Sequence, residues 1–470
     1  MRFRSREMRL GSITVLAIAI GLNILSGCSK SNSGSQPITT TPVDTYQDPA
    51  VYGTPFASVP ATKDIVMYEL NLRSFSNTYN IAGALPRLDS IKALGVNVIW
   101  IMPTYPVGVL KGIGSPYSVK DYNGVNTDFG TLADLRNFVA QAHTRGMAVI
   151  LDWVGNDTSW DNAWISNKSW YQQDASGNII SPIGTTWTDV AALNYNNTDM
   201  RTAMIRAMKY WVLTANVDGY RCDHADGPPV DFWTQAIDTL KKLNTRKLIF
   251  LSEGTVPQQF NSGFQMNYAF DFYTALKGLF GGTQTVSNLQ NVNTNETVAL
   301  GTGTFKLRYI TNHDNTSSDG SAYTIYNGKQ GSVAAFALAA YMNGVPLIYN
   351  GQEVGCPTKI NFFVNTPIDW TINPDMTAAY KKIIAFRAAN EAAKTGVTTF
   401  YPDANIVAFE KISGTNDVVI LVNARNSATT FTVPAALQNI AFTNGLAGGT
   451  VSLGSQYTFQ PYTYLVLKKS

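Results

Sequence analysis

The chain predicts an α/β fold: a (β/α)8 TIM barrel with an insertion after strand 3, followed by a C-terminal antiparallel β-sandwich. Three observations carry this. Short runs rich in β-branched and aromatic residues recur between residues 65 and 352, separated by amphipathic stretches of helical period, the pattern of repeated strand–helix units. Asp223, Glu253 and Asp314 each follow or end such a run, and the carboxyl ends of barrel strands are where active sites form. From about residue 398 the pattern changes to short β-rich runs between turn signals.

The strands are predicted at residues 65–73, 96–103, 148–154, 217–223, 247–254, 268–273, 306–313 and 346–352. Between them, Leu132, Leu135, Phe138, Val139 and Ala142 make one apolar helix face that Gly146 ends, and Leu85, Leu88, Ile91 and Leu94 make another that Gly95 closes. Two connections are too long for simple loops: residues 104–131 after strand 2 and the insertion at residues 155–199 after strand 3. Long insertions at this end of a barrel shape a binding cleft. The second insertion and the strand end feeding it hold Trp153, Trp160, Trp164, Trp170 and Trp187, five of the nine tryptophans; two or three are expected to form its own core and one or two to meet ligand. The barrel domain is bounded at residues 61–397 and the sandwich at 398–470, with turns at residues 414–417 and at Asn444 and Gly445.

The 470 residues are 45% hydrophobic and 11% aromatic, enough for a large core. Charged residues are only 14%, against roughly 25% in an average soluble protein. A net charge of +3 offers no basic patch, so nucleic acid is excluded as a partner. Twenty-three Tyr and nine Trp suit sugar faces as well as a core.

Residues 1–28 read as a targeting segment. Arg2, Arg4, Arg6 and Arg9 precede an apolar run from residue 13 to 25, which ends in Leu25, Ser26, Gly27 and Cys28. The run is short for a spanning helix, which needs roughly 20 apolar residues, and the ending resembles a bacterial lipobox. That implies lipidation of Cys28 and a lipid-anchored envelope protein. Ser29 and Lys30 carry no acidic retention signal, which favours the outer membrane. Residues 29–60, rich in Ser, Thr, Asn and Pro, read as a flexible tether. Cys222 and Cys356 are expected across the barrel from each other, as buried free thiols. Nothing in the sequence sets the number of subunits.

Glycoside cleavage with retention needs an ionised nucleophile and a protonated acid, ~5 Å apart. Arg221, two positions before Asp223, shares its strand face and favours the carboxylate. Glu253 has one more methylene of reach and an apolar strand behind it, so desolvation is expected to hold its proton. Asp314, beside His313, is placed to stabilise positive charge or hold sugar hydroxyls.

The combination resembles the α-amylase family, family 13 of the glycoside hydrolases, over about residues 62–470. The resemblance rests on the segments Asp152 to Asn156 and Gly219 to Asp223, on Glu253, and on Asn312, His313 and Asp314. Supporting stretches run from Ser115 to Tyr122 and from Gly344 to Glu353. It implies Asp223 as nucleophile, Glu253 as general acid/base and Asp314 as transition-state stabiliser. It also implies Arg221 and His313 flanking the sugar, Tyr117 stacking on it, and Asp152 as a structural acid near Arg221. The family often binds Ca2+ where the insertion meets the barrel. The matching positions are Asn156 and Asp189, and the chemistry itself requires no cofactor.

One departure stands out. Where the family usually has His after the Asn of its first motif, this chain has Asp157. An ionised Asp accepts but does not donate, which implies weakened activity, altered substrate or pH preference, or a rearrangement that moves Asp157 away. His224, directly after Asp223, is also atypical. The expected function is retaining hydrolysis of α-1,4-glucosidic bonds in starch, maltodextrin or related α-glucans. Two alternatives stay open: a transglycosylase or isomerase using the same intermediate, and a non-catalytic surface glycan-binding protein on a disabled barrel.

Overall fold

Strand alternation sets the core. The computed structural model describes residues 46–469 apart from 244, 245 and 299. The eight barrel strands are β1 (Met67–Leu70), β2 (Val98–Ile101), β3 (Ala148–Val154), β4 (Gly219–Asp223), β5 (Ile249–Ser252), β6 (Met266–Tyr268), β7 (Phe305–Arg308) and β8 (Val345–Tyr349). They close in that order into one parallel barrel. Successive side chains on a strand point to opposite faces. Met67, Val98, Trp100, Ala148, Ile150, Ile249, Leu251, Leu307 and Leu347 fill the interior, while Tyr68, Ile99, Val149, Leu151 and Phe250 pack outward among the helices.

The predicted helix of Leu132–Thr144 forms with a capping box, in which Thr131 and Asp134 satisfy each other's backbone N–H groups. The sixth predicted strand, residues 268–273, is a correction. The strand is only Met266–Tyr268, and a helix, Phe270–Phe280, starts two residues later. The aromatic run looks like a strand, but Phe272, Tyr273, Leu276 and Leu279 recur at helical spacing and are buried. The seventh strand also stops early, at Arg308, and His313 begins a helix, His313–Asp319.

The targeting segment, with Cys28, lies outside the described residues, as does most of the predicted tether. The described end of that tether corrects the reading, because it packs on the barrel. Tyr52 donates its N–H to the Leu213 carbonyl at 2.7 Å, and the Asn216 amide donates to the Thr54 carbonyl at 2.8 Å. Phe56 stacks on His143 at 4.5 Å, and Phe56 and Val59 close the bottom of the interior cluster. Apolar side chains among the polar ones supply the anchors that overall composition hides.

The insertion forms a two-stranded antiparallel hairpin, Asp157–Ser159 with Val190–Ala192. It is stitched to the other long connection where Ser159 N–H and the Asn162 amide both donate to the Val119 carbonyl. Trp153 is buried beneath it, and Trp164 meets Trp170 edge-on at 5.3 Å. Trp187 is the one that reaches a cleft.

Beyond the last barrel helices the chain makes β9 (Val397–Tyr401), β10 (Ile406–Ser413), β11 (Asn416–Asn423), β12 (Thr429–Thr432), β13 (Ala441–Asn444), β14 (Thr450–Ser452), β15 (Gln456–Phe459) and β16 (Tyr464–Lys469). A six-stranded sheet in the order β9-β10-β11-β16-β13-β14 faces the β12–β15 pair. Ile406, Ala408, Val419, Leu421, Phe431 and Phe459 fill the space between. The alternate residues Val407, Phe409, Val418 and Ile420 join the barrel's outer core. At this junction Lys411 is fully buried and donates to the carbonyls of Tyr341 and Ala393, both at 3.1 Å.

Burial pushes the Lys411 ammonium down to about 7, far below the ~10.4 of an unfolded lysine. Between those values the unfolded chain binds the extra proton, so this residue makes stability rise with pH from about 7 to about 10. Lys411→Met should flatten that part of the profile. The check is chemical denaturation of parent and variant at pH 7 and pH 9.5; an equal pH dependence in both would refute it.

Candidate active site

The inward-facing series changes character at the barrel mouth. On β1 it runs from Met67 to Glu69, on β3 from Ile150 to Asp152, on β4 from Gly219 to Arg221 and Asp223, and after β5 from Leu251 to Glu253. Register does the rest: Asp152 lies opposite Arg221 across the β3–β4 pair. Ile113, Tyr117, Asp157, Trp187, Asp189, Asp223, His224, Glu253, His313, Asp314 and Phe362 are among the walls of a cleft of about 250 Å3. Of the sequence-predicted site residues, all the catalytic candidates line this cleft, as do Tyr117, His313 and Asp157. Arg221 lies beneath it without exposed surface.

Arg221 organises the floor. Its Nη1 donates to Asp152 Oδ1 at 2.9 Å and to Asp223 Oδ1 at 2.8 Å, and its Nε donates to the Tyr268 hydroxyl at 3.1 Å. Nη2 sits 2.9 Å from Glu253 Oε2 as an ionic contact without hydrogen-bond alignment. Trp100 lies against the guanidinium at 4.9 Å and donates its indole N–H to Asp152 Oδ2 at 3.0 Å. Glu253 Oε2 also accepts the backbone N–H of His224 at 2.7 Å. His224 adopts φ +40°, an uncommon conformation for a non-glycine residue, and this aims its N–H at Glu253.

These bonds work against the desolvation expected to hold the Glu253 proton. Burial pushes Glu253 up, but Arg221 and the His224 N–H outweigh it and hold the carboxyl below its ordinary value. Burial raises Asp223 well above its ordinary value, and Arg221 offsets this only in part. Arg221 and the His224 N–H thus stabilise the Glu253 carboxylate more than Arg221 stabilises that of Asp223. The physical reason is sharing: Asp223 divides Nη1 with Asp152, whereas Glu253 has Nη2 and a backbone N–H.

A second network holds His313. Its Nδ1 meets Glu69 Oε1 at 2.5 Å, and its Nε2 meets the Tyr117 hydroxyl at 2.8 Å and Asp314 Oδ2 at 3.3 Å. The Tyr117 hydroxyl also donates to Asp152 Oδ2 at 3.2 Å, so the two networks meet there. Asn312 caps the helix whose first turn carries His313 and Asp314, accepting the Asn315 N–H at 2.8 Å. Burial works against the imidazolium, but the charges of Asp314 and Glu69 win and raise His313 to about 9.

Asp157 has not moved away from the cleft. It is 5% exposed, with Oδ2 accepting from the Asn156 amide at 3.0 Å. Burial raises its carboxyl to about 7, so near neutral pH a neutral, donating form is populated beside the ionised, accepting one. Asn156 and Asp189 do not make up a calcium cage by themselves. The Asn156 side-chain NH2 donates to Asp157, which leaves its amide oxygen as a ligand atom, and Asp189 lines the catalytic cleft; calcium takes six to eight oxygens. Among the described residues no group of three or more His, Cys, Asp or Glu is placed to hold a metal ion. Cys222 and Cys356 are buried free thiols.

Sequence reasoning missed Glu69, although a lone acid inside the apolar stretch of β1 was a usable signal. It also missed Phe362 and Phe363, two adjacent aromatics in the loop after β8 that line the cleft. Glu69→Gln should lower the His313 titration midpoint from about 9 toward the ~6.5 of a free imidazole, because a charged acceptor is lost. By linkage, the stability supplied by His313 is full below ~6.5 and disappears as pH rises through about 9. With three histidines in the chain, the ring signals can be assigned by single replacement and followed by NMR; an unmoved midpoint would refute the pairing.

The alpha amylase catalytic domain profile matches residues 72–178 and 184–392, most of the barrel. Alpha-amylase 2 of Dictyoglomus thermophilum is 26% identical over 79% of this chain and 69% of its own length. Alpha-amylase MalA of Haloarcula japonica is 24% identical over 85% of this chain, which spans 61% of that relative. The crystal structure of an alpha-amylase from Lactobacillus plantarum superposes with a TM-score of 0.78 at 25% identity, covering 87% of this chain and 99% of that one. The fold is also that of the maltogenic alpha-amylase AmyB from Thermotoga neapolitana, with a TM-score of 0.77 at 24% identity over 87% of this chain and 99% of that one. The family match spans the strand ends that carry Asp152, Asp223, Glu253 and Asp314, and the chain belongs to the α-amylase family of glycoside hydrolases.

Proposed function

We propose that this protein is a retaining hydrolase of α-1,4-linked glucans, with Asp223 as nucleophile, Glu253 as general acid/base and Asp314 as stabiliser of the oxocarbenium-like transition state. The observation that carries the reading is the single guanidinium of Arg221, in ionic contact with both Asp223 and Glu253. Sharing one planar group keeps the two carboxyls close, which favours the ~5 Å of retaining enzymes over the ~6.5–9.5 Å of inverting ones. A non-catalytic glycan-binding role has less support, since the three acids line one cleft.

The opposite directions in which Asp223 and Glu253 are pushed are compatible with this assignment because the two carboxyls titrate as a pair. A glycosidic oxygen beside Glu253 accepts a hydrogen bond only from its protonated form. Positive charge growing at the anomeric carbon favours the ionised form of Asp223. Substrate thus shifts the shared proton toward Glu253, an interaction strongest in the transition state. Asp223 attacks, Glu253 protonates the leaving oxygen, and a covalent glycosyl ester forms. Water, deprotonated by Glu253, releases the sugar with its configuration retained. A sugar hydroxyl at this wall takes the His313 Nε2–H in place of Tyr117 or Asp314, which hold it in the free cleft. Transfer to a second sugar uses the same ester, and the apolar side chains of Ile113, Trp187, Phe362 and Phe363 along the cleft favour a sugar acceptor as a competing route.

Maltoheptaose should be cut by a soluble form starting near Thr45, and Asp223→Asn should reduce that rate by ~10³-fold or more, as for loss of other nucleophiles. NMR of the first product should show the α-anomer. Release of the β-anomer, or comparable rates in the two proteins, would overturn the mechanism.

Envelope anchoring through a lipid on Cys28 belongs to the same proposal and is supported by the Leu25 to Cys28 segment. Labelled palmitate should enter the parent and not Cys28→Ala, and only the parent should fractionate with outer membranes; labelling of both would refute it.

A further inference from the structure

A second cavity, of about 200 Å3, lies on the outer side of the barrel wall and is lined by Thr255, Phe260, Asn267, Phe270, Asp271 and Lys306 among others. Alternation explains how polar groups come to be there. Met266 and Tyr268 point into the barrel interior, so Asn267 between them points outward, a direction most other strands fill with apolar side chains. Lys306 stands between two residues packed with the interior, Phe305 and Leu307, and is paired in register with Asn267. The two polar side chains therefore stand together on the outer face.

Asn267 is 0% exposed, and neither its amide oxygen nor its amide nitrogen has a hydrogen-bond partner. Leaving such a buried group unmet is costly, which points to an occupant. The chemistry of that occupant follows from the walls. An amide offers a donor and an acceptor side by side, and a pair of adjacent hydroxyls satisfies both. Lys306, also buried, donates to the Tyr268 carbonyl at 3.3 Å, and an ammonium has two further donors. Asp271 and Glu296 face the same cavity, and Glu296 is paired with Arg308, so mixed charges favour neither an anion nor a cation. Half-buried Phe260 and Phe270 supply apolar walls suited to the C–H face of a ring. The volume lies below the ~300–1,000 Å3 of drug-sized sites, which suits one ring.

We propose that this cavity is a second carbohydrate site, which takes one neutral hexopyranose unit at the end of an α-glucan, with Asn267 and Lys306 holding adjacent hydroxyls between Phe260 and Phe270. The choice of glucose as the sugar rests on the function proposed above; the site itself does not.

The test uses the chain with Asp223→Asn, titrated with maltose by calorimetry and soaked with maltose as crystals. The expected result is two sites, one in the cleft and one in this cavity. Phe260→Ala and Asn267→Leu should each weaken the second by about tenfold or more. In the otherwise unaltered chain, both should leave maltoheptaose cleavage within about twofold of the parent. Phe260 is only half-buried, so its variant serves if Asn267→Leu fails to fold. Maltose density confined to the cleft, ordered water alone in the cavity, or two sites unaffected by Phe260→Ala would overturn the proposal. No maltoheptaose cleavage by the parent chain, with sugar still bound in the cavity, would sink the hydrolase reading and leave this site standing.

Discussion

A guanidinium with no exposed surface at the mouth of the barrel is the constraint around which the rest is arranged. A buried charge of this kind persists only when paired and hydrogen-bonded. Arg221 meets the requirement with Asp152 on the neighbouring strand, Asp223 on its own strand and Glu253 beyond the next. Each of these carboxyls is thereby drawn into one layer. The arrangement depends on barrel closure and on the β3–β4 register, since a slip of one residue would turn Asp152 outward.

The second buried cation, His313, extends the same logic across the mouth. Glu69 and Asp314 keep it charged, and Tyr117 links it to Asp152. Two cations thus stand among five acids, Glu69, Asp152, Asp223, Glu253 and Asp314. An excess of carboxyl groups in a low-dielectric cleft retains a proton, and bond geometry decides where it rests. Burial with a shared Arg221 nitrogen raises Asp223, while Arg221 and the His224 N–H lower Glu253. That distribution is suited to redirection by a bound ligand.

Much of the site was legible in the sequence because its acids and bases follow apolar strands in a repeated pattern. Asp223, Glu253, Asp314, Arg221, His313 and Tyr117 stand out in the sequence as candidates, and all meet at one cleft or directly beneath it. The direction in which each carboxyl is pushed was not legible, because it depends on which nitrogen of Arg221 faces which carboxyl and on a backbone N–H aimed by the φ of His224. Glu69 was missed since one acid in a strand says little until the strand opposite supplies His313. The sixth strand was misplaced because a six-residue aromatic run satisfies both strand and helix patterns, and packing chose the helix after Tyr268.

The sequence by itself determined the barrel, its order of units and the β-rich C-terminal domain, because local periodicity records which face of each element is buried. It also determined which residue types stand at the strand ends. Only the tertiary structure decided how charge is shared among them, that Asp157 stays at the cleft with its carboxyl raised to about 7, and that residues 48–60 pack as part of the domain. Those outcomes depend on distance and desolvation between segments far apart in the chain. A linear pattern carries neither.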